Sequence, residues 1–383
     1  MKITFYSNFL NHHQLPICNE FISKKNIDFT FVATEKLPDE RIKLGYEDMN
    51  KKYKFVLTTY DSIQNYQKAL KLANDSDIVI IGSAPNIFIE ERLKDKNKIT
   101  FRYSERIFKK NTIKNYLSQF KNFRILKNYY KEHKYFLLCS SAYAAKDFNK
   151  IGQFKDRCFK WGYFPEVREY DIQKLLKAKR NKIINIVWVA RFLDWKHPEY
   201  PIYLAEYLNK KGYDNYHIKM IGIGEEFNKC SKMIAEKKLN KNITLCGSMP
   251  NEKVIEHMKK ANIFIFTSDR GEGWGAVLNE AMNNGCAVVA NRMIGAAPYL
   301  IKHGENGYTY INKKDFFIEV EKLINDSNLR EKFGENAYKT MTNVWNARNA
   351  VNNLLNLYEK IVNDRDYKNS NYNDGPCSKE IRK

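Results

Sequence analysis

The sequence predicts an α/β protein that consists of two doubly wound parallel-sheet domains. Its 383 residues are too many for one compact core and fit two domains. Short apolar runs typical of buried strands alternate with helical patterns over roughly 180 residues, and this alternation occurs twice. The clearest unit spans residues 263–290, where an apolar run, a glycine-rich turn, a helical pattern and a second apolar run follow one another. Such a unit places a binding edge at its first turn.

Each half of the chain contains a series of strand-like apolar runs. In the first half they lie at residues 3–6, 29–33, 55–57, 78–81, 99–103 and 135–139. In the second half they lie at residues 184–190, 217–221, 243–246, 263–266 and 287–290. Helical patterns such as 62–73, 199–211 and 251–260 separate most of these runs. We therefore predict a Rossmann-like domain at residues 1–165, a linker at 166–180 and a second Rossmann-like domain at 181–343.

The C-terminal residues are expected to form a helix and a tail. Residues 344–362 have the apolar spacing of a long amphipathic helix. Residues 363–383 are polar and show no periodicity, which predicts a disordered tail.

Composition and cysteine usage indicate a globular protein of the cytoplasm. The chain is 43% hydrophobic, yet no apolar run approaches the roughly 18 residues of a membrane span. The N-terminal sequence MKITFYSNF alternates like a strand and lacks a signal-peptide core. The seven cysteines are scattered and form no CxxC pair, which argues against a zinc site and against a disulfide framework.

Glu272 and Glu280 stand on the predicted binding edge of the second domain. Glu272 lies in the glycine-rich turn 271–275, whose N–H groups at a helix N-terminus suit a phosphate. Glu280 follows eight residues later, about 12 Å along a helix, which is farther than the roughly 5–9.5 Å between paired glycosidase carboxylates. We therefore expect the two side chains to contact different hydroxyl-bearing parts of one ligand, such as a sugar and a ribose. The simpler alternative for Glu280 is a solvated helix face, although its apolar neighbours indicate a buried helix.

Two further elements are predicted at the same edge. Arg191 ends one strand-like run and Lys196 lies in the loop that follows, so that their charges suit a diphosphate. Two ordinary surface cations would explain this stretch equally well. Gly222 and Gly224 follow another strand-like run, where a ligand can approach the backbone or the chain can simply turn tightly. The Asp-x-Asp pattern at residues 75–77 precedes a strand instead of following one, so we interpret it as a helix-to-strand turn and predict no metal site.

These motifs resemble, in order and spacing, those of retaining glycosyltransferases of family 4, of the type that builds bacterial surface polysaccharides. The resemblance rests on Arg191 with Lys196, on the Gly222 and Gly224 turn, on residues 272–280, and on residues 295–307 (GAAPYLIKHGENG). It covers essentially the whole second domain. It implies the GT-B fold, in which two Rossmann-like domains face a central cleft, with the helix at 344–362 crossing back to the first domain.

The resemblance also implies a role for each matching residue. Arg191 and Lys196 would clamp the diphosphate of the donor, Glu272 would hold hydroxyl groups of the donor sugar, and Glu280 would bind the ribose. Further donor contacts are implied at Gly222, Gly224, Gly273, Trp274, Gly295 and Ala296. Two cations and a helix N-terminus can stabilise a leaving diphosphate without metal. We expect no cofactor, because the nucleotide sugar is a co-substrate, and we expect a hexosyl group to pass with retention from a UDP- or GDP-sugar to a saccharide or lipid-linked saccharide in cell-surface polysaccharide synthesis.

Candidate contacts to the acceptor lie at strand ends in the first half of the chain. His12 and His13 come shortly after the first strand-like run, and Glu105 and Arg106 come after the run at 99–103. Because the carboxyl ends of parallel strands meet at one edge, we expect these four side chains to lie on the acceptor side. Helix capping and packing are the alternative roles for the two histidines.

Residues 106–136 form a basic segment that is interleaved with aromatic residues. They include nine lysines and arginines and one acidic residue, a composition that favours docking on an anionic membrane surface. An ordinary solvated helix face is the alternative. With docking, the cytoplasmic protein would lie on the inner face of the cell membrane and its acceptor would be lipid-linked.

The net charge of +21 also raises the alternative of a nucleic-acid-binding protein, whose affinity would fall steeply with salt. Lysines outnumber arginines 50 to 15, however, and specific phosphate or base recognition usually relies on arginine. No recognised nucleic-acid-binding motif occurs, and we expect no nucleic-acid partner. A DNA-modifying glucosyltransferase is a further alternative without specific support in the sequence. Another is a catalytically silent sugar-nucleotide binder, against which the intact Arg191, Lys196, Glu272 and Glu280 argue.

Overall fold

The structure is a computed structural model that describes residues 1–39, 42, 47–110, 112–124, 132–363 and 374–380. The chain divides into two compact units. The first domain comprises Met1–Glu166 and Asn346–Lys383, and the second domain comprises Val167–Trp345. Each contains one parallel sheet with helices between the strands. The predicted fold class of two doubly wound Rossmann-like domains is therefore confirmed.

Strands and helices alternate along the first domain. Its elements are β1 (Lys2–Ser7), α1 (Leu15–Ile22), β2 (Asp28–Ala33), β3 (Val56–Thr58), α2 (Ile63–Asp75), β4 (Ile78–Ile81), α3 (Asn86–Arg92), β5 (Thr100–Ser104), α4 (Ile113–Arg124), β6 (Tyr135–Cys139), α5 (Ala144–Lys150) and β7 (Cys158–Lys160). The strands pair in the order β3-β2-β1-β4-β5-β6-β7. This order reverses between β1 and β4, and ligands of such sheets bind beyond the carboxyl ends of the strands at the reversal.

The second domain repeats this alternation. Its elements are α6 (Ile172–Ala178), β8 (Ile184–Val189), α7 (Glu199–Lys210), β9 (Tyr216–Ile221), α8 (Phe227–Glu236), β10 (Ile243–Leu245), α9 (Asn251–Lys260), β11 (Ile263–Phe266), α10 (Val277–Asn283), β12 (Ala287–Asn291), α11 (Ala297–Leu300), β13 (Tyr308–Tyr310), α12 (Lys313–Asn325) and α13 (Ser327–Asn343). The strands pair in the order β10-β9-β8-β11-β12-β13. The reversal lies between β8 and β11, where the strands pair through Ile186 and Val187. The loops that follow these two strands therefore leave the sheet side by side.

The central strands are continuous apolar runs because both faces of each sheet are covered. Every residue of β4 (IVII), β6 (YFLLC) and β11 (IFIF) is buried. The apolar segments stay short. None of the helices in the described part of the chain combines the length and the apolar content that crossing a bilayer requires.

The predicted linker at 166–180 is instead part of the second domain, which begins at Val167. Within it, α6 buries Leu176. Lys179 follows α6 and is 3% exposed. Its ammonium donates to the carbonyl oxygens of Asn284 at 2.6 Å and Gly285 at 3.0 Å. The sequence prediction was wrong here because a charged stretch resembles a solvated connector, whereas this lysine satisfies carbonyl groups at the end of a neighbouring helix.

The C-terminal residues return to the first domain as helix α14 (Ala347–Val362). This helix packs on α1, and Lys24 of that domain donates to the Asn352 amide oxygen at 2.7 Å. The predicted disordered tail is wrong for residues 374–380. In this segment Cys377 is buried, and its N–H donates to the carbonyl of Lys160 on the edge strand β7 at 2.8 Å. Residues 364–373 and 381–383 lie outside the described part.

Candidate active site

Lys196 and Glu272 form an ion pair at the strand reversal of the second sheet. Lys196 ends a short 3-10 turn, Asp194–Lys196, after β8, and Glu272 lies in the loop after β11. Their side chains are 12% and 13% exposed. The Ser268 hydroxyl donates to the same carboxylate oxygen of Glu272 at 2.9 Å. The structure thus brings together two residues that the sequence analysis predicted for the catalytic site.

A buried threonine holds the backbone of Lys196 in place. The indole N–H of Trp188, on β8, donates to the Thr267 hydroxyl at 2.8 Å. That hydroxyl donates in turn to the carbonyl of Lys196 at 2.6 Å. The Lys196 ammonium also lies 4.2 Å from the centroid of the Trp195 ring. Strands β8 and β11 therefore position this lysine jointly.

Arg191 adds a second positive charge to the same edge. It follows β8 by two residues, and its side chain is exposed. No acidic residue in the described ranges forms an ion pair with it. Arg191 and Lys196 both follow β8, and a guanidinium and an ammonium group on one loop can serve a phosphate-bearing ligand.

Gly222 and Gly224 bring the loop after β9 against the backbone that follows β8. Their φ angles are +135° and +156°. A Cβ at Gly222 would overlap the carbonyl oxygen of Ala190, and a Cβ at Gly224 would overlap that of Phe192. The N–H of Phe192 also donates to the carbonyl of Ile223 at 2.9 Å. This packing explains both glycines structurally, and their predicted contact with a nucleotide-sugar donor remains a prediction.

The side chain of Trp274 anchors the glycine-rich turn in the core. It is completely buried, and its indole N–H donates to the Asn279 side-chain oxygen at 2.9 Å. The rings of Tyr299 and Trp345 lie 6.1 and 6.0 Å away. Trp345, the last residue of the second domain, therefore packs beneath this turn. Because the Trp274 side chain is buried, only its backbone is available for the predicted ligand contact. Gly273 is also buried and has no side chain, so its predicted contact is a backbone contact as well.

The loop at Gly295 and Ala296 packs against the same turn. The N–H of Gly295 donates to the carbonyl of Glu272 at 3.3 Å, and the N–H of Ala296 donates to that of Trp274 at 3.1 Å. The loop that carries Gly295 and Ala296 thus lies against the glycine turn, and the predicted donor contact of both residues stays a prediction. Both N–H groups are engaged within the protein, so a ligand would contact other backbone atoms of this loop.

Glu280 lies on α10, most of whose residues are buried. Burial raises the pKa of its carboxyl to about 7, while a hydrogen bond with Asn251 and the charge of Arg168 act in the opposite direction. The side chain keeps some accessible surface but is surrounded by protein atoms. Glu280 therefore does not lie on a solvated helix face, the simpler alternative raised by the sequence. A carboxyl group that ionises near neutrality in such a place is typical of functional sites.

In the first domain, Tyr163 links three of the predicted acceptor-side residues. Its ring stacks on His13 at 5.3 Å, and its hydroxyl donates to Glu105 at 2.5 Å. The ring of His12 lies 3.7 Å from that of His13. Tyr163 was not among the candidates predicted from the sequence. Its only signal there is the aromatic motif WGYFPE at residues 161–166.

Arg106, the fourth of these candidates, is 5% exposed and belongs to the packing of the first domain. Its Nε lies 3.8 Å from the Asp147 carboxylate. Its guanidinium lies 4.5 Å from the centroid of the Tyr143 ring. Burial therefore contradicts its prediction as an acceptor contact. The residues around Arg106 in the sequence do not predict Asp147, on helix α5, as its partner.

Comparison with known proteins is consistent with this geometry. Residues 167–340 match the model of the family described as glycosyl transferases group 1. The chain is 29% identical over 287 residues to the uncharacterized glycosyltransferase MJ1069 of Methanocaldococcus jannaschii, a match that covers 72% of this chain and 71% of that protein. It is 27% identical over 208 residues to the capsular polysaccharide biosynthesis glycosyltransferase CapM of Staphylococcus aureus, covering 50% of this chain and 51% of CapM. The chain thus spans about half the length of CapM.

The fold also matches solved glycosyltransferase structures. That of Anabaena HepE in complex with UDP superposes with a TM-score of 0.67 at 15% identity, and the match covers 94% of this chain and 100% of HepE. At this identity the likeness concerns the fold. Residues 167–340, within the second domain, are thus similar to the group 1 glycosyl transferases, and the chain has the two-domain fold of the GT-B glycosyltransferases.

Proposed function

We propose that this protein is a retaining, metal-independent hexosyltransferase. It transfers a sugar from a UDP- or GDP-sugar to a saccharide or lipid-linked saccharide in cell-surface polysaccharide synthesis. The name of CapM refers to capsular polysaccharide biosynthesis, and HepE has been solved in complex with UDP-glucose. Both facts support the choice of donor and pathway. Retention is proposed from the resemblance to family 4 enzymes.

The observation that carries this proposal is the Lys196–Glu272 pair beside Arg191 at the strand reversal. Sugar transfer places negative charge on the leaving diphosphate, and the two cations stabilise that charge. Binding of the diphosphate gives Lys196 phosphate oxygens as partners in place of the carboxylate. Glu272 then accepts hydrogen bonds from hydroxyl groups of the transferred sugar. Glu280, on the adjacent helix, accepts hydrogen bonds from the ribose.

The acceptor is proposed to bind the first domain near His12, His13, Glu105 and Tyr163. These four side chains form one polar cluster at the carboxyl ends of β1 and β5. Carboxylate, imidazole and phenol groups can bind sugar hydroxyls from several directions. The cluster lies at the edge where such sheets bind ligands.

Transfer assays with two alanine variants test the proposed function. We expect Lys196→Ala and Glu272→Ala each to lower the release of UDP or GDP from a panel of nucleotide sugars by at least about 100-fold, because each removes a group that acts on the transition state. The matched control is Lys232→Ala, an exposed lysine on α8, which should retain full turnover. Unchanged turnover in both site variants, with folding verified by circular dichroism, would contradict the assignment.

We further propose that helix α4 docks the protein on an anionic membrane surface. Its described part exposes Ile113 by 81%, Leu117 by 62% and Tyr116 by 42%. These positions share one helix face. Lys110 and Lys114 are exposed beside them. Apolar side chains flanked by lysines match a surface helix that inserts among anionic headgroups. Residues 111 and 125–131 of the predicted basic segment 106–136 lie outside the described residues. The prediction is wrong for the end of this segment, because Tyr135 and Phe136 are buried in strand β6.

Vesicle co-sedimentation tests this docking. The wild type should sediment with phosphatidylserine vesicles at low salt, and Leu117→Glu should reduce the bound fraction at least about fivefold by placing a charge on the inserted face. Ile63→Glu is the matched control, because Ile63 on α2 is 63% exposed but lies on another helix. Equal binding of wild type and L117E, or no binding of the wild type, would contradict the proposal.

A further inference from the structure

We propose that His197 is a positioning residue, which as an imidazolium ion ties the loop that carries Lys196 to the loop that carries Glu272. The inference rests on the proposed function, because it assigns Lys196 to the diphosphate of a nucleotide sugar. It adds a regulatory property to that site. The affinity of the site for the diphosphate should fall when His197 loses its proton.

The backbone conformation of His197 is the first observation. It ends the turn Asp194–Lys196 with a φ of 50° and a ψ of 58°, the left-handed region. A residue with a Cβ adopts this conformation at an energetic cost, and glycine adopts it freely. The structure therefore uses a strained histidine immediately after the key lysine, where glycine would fit the backbone better.

The ring joins two elements of the second domain. Its Nδ1 lies 3.0 Å from the Glu199 carboxylate at the start of α7, and its Nε2 lies 3.8 Å from the Asp269 carboxylate in the loop after β11. Asp269 also donates its N–H to the carbonyl of Trp195 at 3.0 Å. One aspartate thus contacts the turn on both sides of Lys196. Asp269 directly follows Ser268, which binds Glu272.

The charges around the ring favour its protonated form. The hydrogen bond with Glu199 is the largest cause that raises the pKa of His197, burial opposes it, and the charges of Glu199, Asp269 and Asp194 reinforce it. On the facing side, the ring of Tyr200 lies 5.2 Å away. Lys229 of α8 influences Glu199 electrostatically and Lys196 adjoins His197 in the chain, so two cations oppose three carboxylates around the ring.

Loss of the proton should loosen this connection. A neutral imidazole can still donate from Nδ1 to Glu199 at 3.0 Å, but it carries no charge to attract the Asp269 carboxylate, which lies 3.8 Å from Nε2. The contact with Asp269 is the longer one and should be lost first. The loop that carries Lys196 and the loop that carries Glu272 would then share fewer contacts.

His197→Gly separates the ring from the backbone. Glycine adopts the left-handed conformation without strain, so H197G should keep the turn and lose only the ionic connection. Asp269→Asn is the second variant, since it retains an oxygen for the N–H of Gly271, which now donates to Asp269 at 2.6 Å. His217→Gln is the matched control, because this histidine lies on β9 and hydrogen-bonds Thr244.

The first readout is thermal stability against pH without ligand. A histidine with a raised pKa contributes stability that is complete at low pH and is lost as the pH rises through its folded pKa. The melting temperature of the wild type relative to H197G should therefore fall between about pH 5.5 and 8.5. The wild type relative to H217Q should show the opposite trend, a rise with pH at the acid end of this range, because burial lowers the pKa of His217. A constant difference between wild type and H197G would overturn the ionic connection.

The second readout is the dissociation constant of UDP-glucose, whose diphosphate diester keeps a constant charge over this pH range. Because Glu280 titrates in all of these proteins, the ratio of the H197G constant to the wild-type constant isolates His197. This ratio should be about fivefold at low pH and approach one at high pH, and D269N should behave similarly. A ratio independent of pH would overturn the positioning role. Failure of the wild type to bind UDP-glucose at any pH would count against the proposed donor, and the stability readout would then decide the connection alone.

Discussion

Lys196 and Glu272 each compensate for the burial of the other's charge. A charged group that is almost nine-tenths buried is costly by itself, and removal of one partner leaves the other uncompensated. The pair also keeps the ammonium and the carboxylate directed at one spot. A diphosphate that approaches this spot exchanges one anionic partner of Lys196 for another. Lys196 therefore keeps an anionic partner throughout binding.

Glu280 offers a direct test of how burial affects this site. Burial raises the pKa of its carboxyl to about 7, so ionisation costs more in the folded state than in the unfolded state. The wild type should lose stability relative to Glu280→Gln as the pH rises from about 4.5 to about 7, and the difference should stay level above that. The measurement is the melting temperature of both proteins from about pH 5 to pH 8.

Glu256→Gln provides the matched control for this titration, because Glu256 is an exposed carboxylate on α9 and is paired with Lys259. A melting temperature of the wild type that rises relative to that of E280Q as the pH rises would contradict the account of Glu280. A difference between the two melting temperatures that is constant with pH would do so as well.

Single residues of the site could be predicted where a local pattern defines them. Glu272 was recognisable from its glycine turn, and Lys196 from its position after a strand. Their pairing was not, because 76 residues separate them and only the side-by-side placement of β8 and β11 brings them together. Tyr163 and His197 were missed for the same reason. The contacts of both come from elements that are remote in the sequence.

At the scale of elements, the loops after β8 and β9 show how closely the backbone is packed around the phosphate-binding edge. Gly222→Ala should lower the melting temperature by about 6 °C or more, because its Cβ would overlap the Ala190 carbonyl and strain the backbone, at a cost of about 3 kcal/mol. The displaced loop includes Arg191. Binding of a nucleotide sugar should weaken in parallel.

Gly212→Ala is the control that separates the cost of the overlap at Gly222 from the cost of a positive φ in a residue with a Cβ. Gly212 also has a positive φ, of +84°, but no atom lies within 4 Å of the place its Cβ would occupy. Its substitution should cost only about 1–2 kcal/mol. Differential scanning fluorimetry compares the two variants. Equal decreases in melting temperature for G222A and G212A would show that overlap with the Ala190 carbonyl adds no cost to the substitution at Gly222.

Strands and most helices were predictable because buried parallel strands are continuous apolar runs. Helix α6 and the segment 374–380 were not. Lys179 looks like a solvated residue in the sequence, yet its ammonium satisfies carbonyl groups inside the second domain. Residues 374–380 lack apolar periodicity, and their order comes from backbone hydrogen bonds to the edge strand β7, which no side-chain pattern encodes.

At the scale of the whole molecule, the two domains divide the charge unequally. The first domain contains 37 lysines and arginines against 23 acidic residues, whereas the second domain contains 28 against 21. The excess in the first domain accompanies the exposed helix α4, and the second domain carries Arg191 and Lys196 at one sheet edge. This distribution is consistent with both proposals. Two cations of the second domain would bind the diphosphate, and the many lysines and arginines of the first domain would attract an anionic surface.

The most direct test of the central claim is a thermal-shift measurement of wild type and Lys196→Ala against a panel of UDP- and GDP-sugars. A ligand that binds only the folded protein raises its melting temperature. We expect at least one nucleotide sugar to stabilise the wild type and to lose most of this effect in K196A. Stabilisation of both proteins to the same extent, or of neither by any nucleotide sugar, would contradict a nucleotide-sugar site at Lys196.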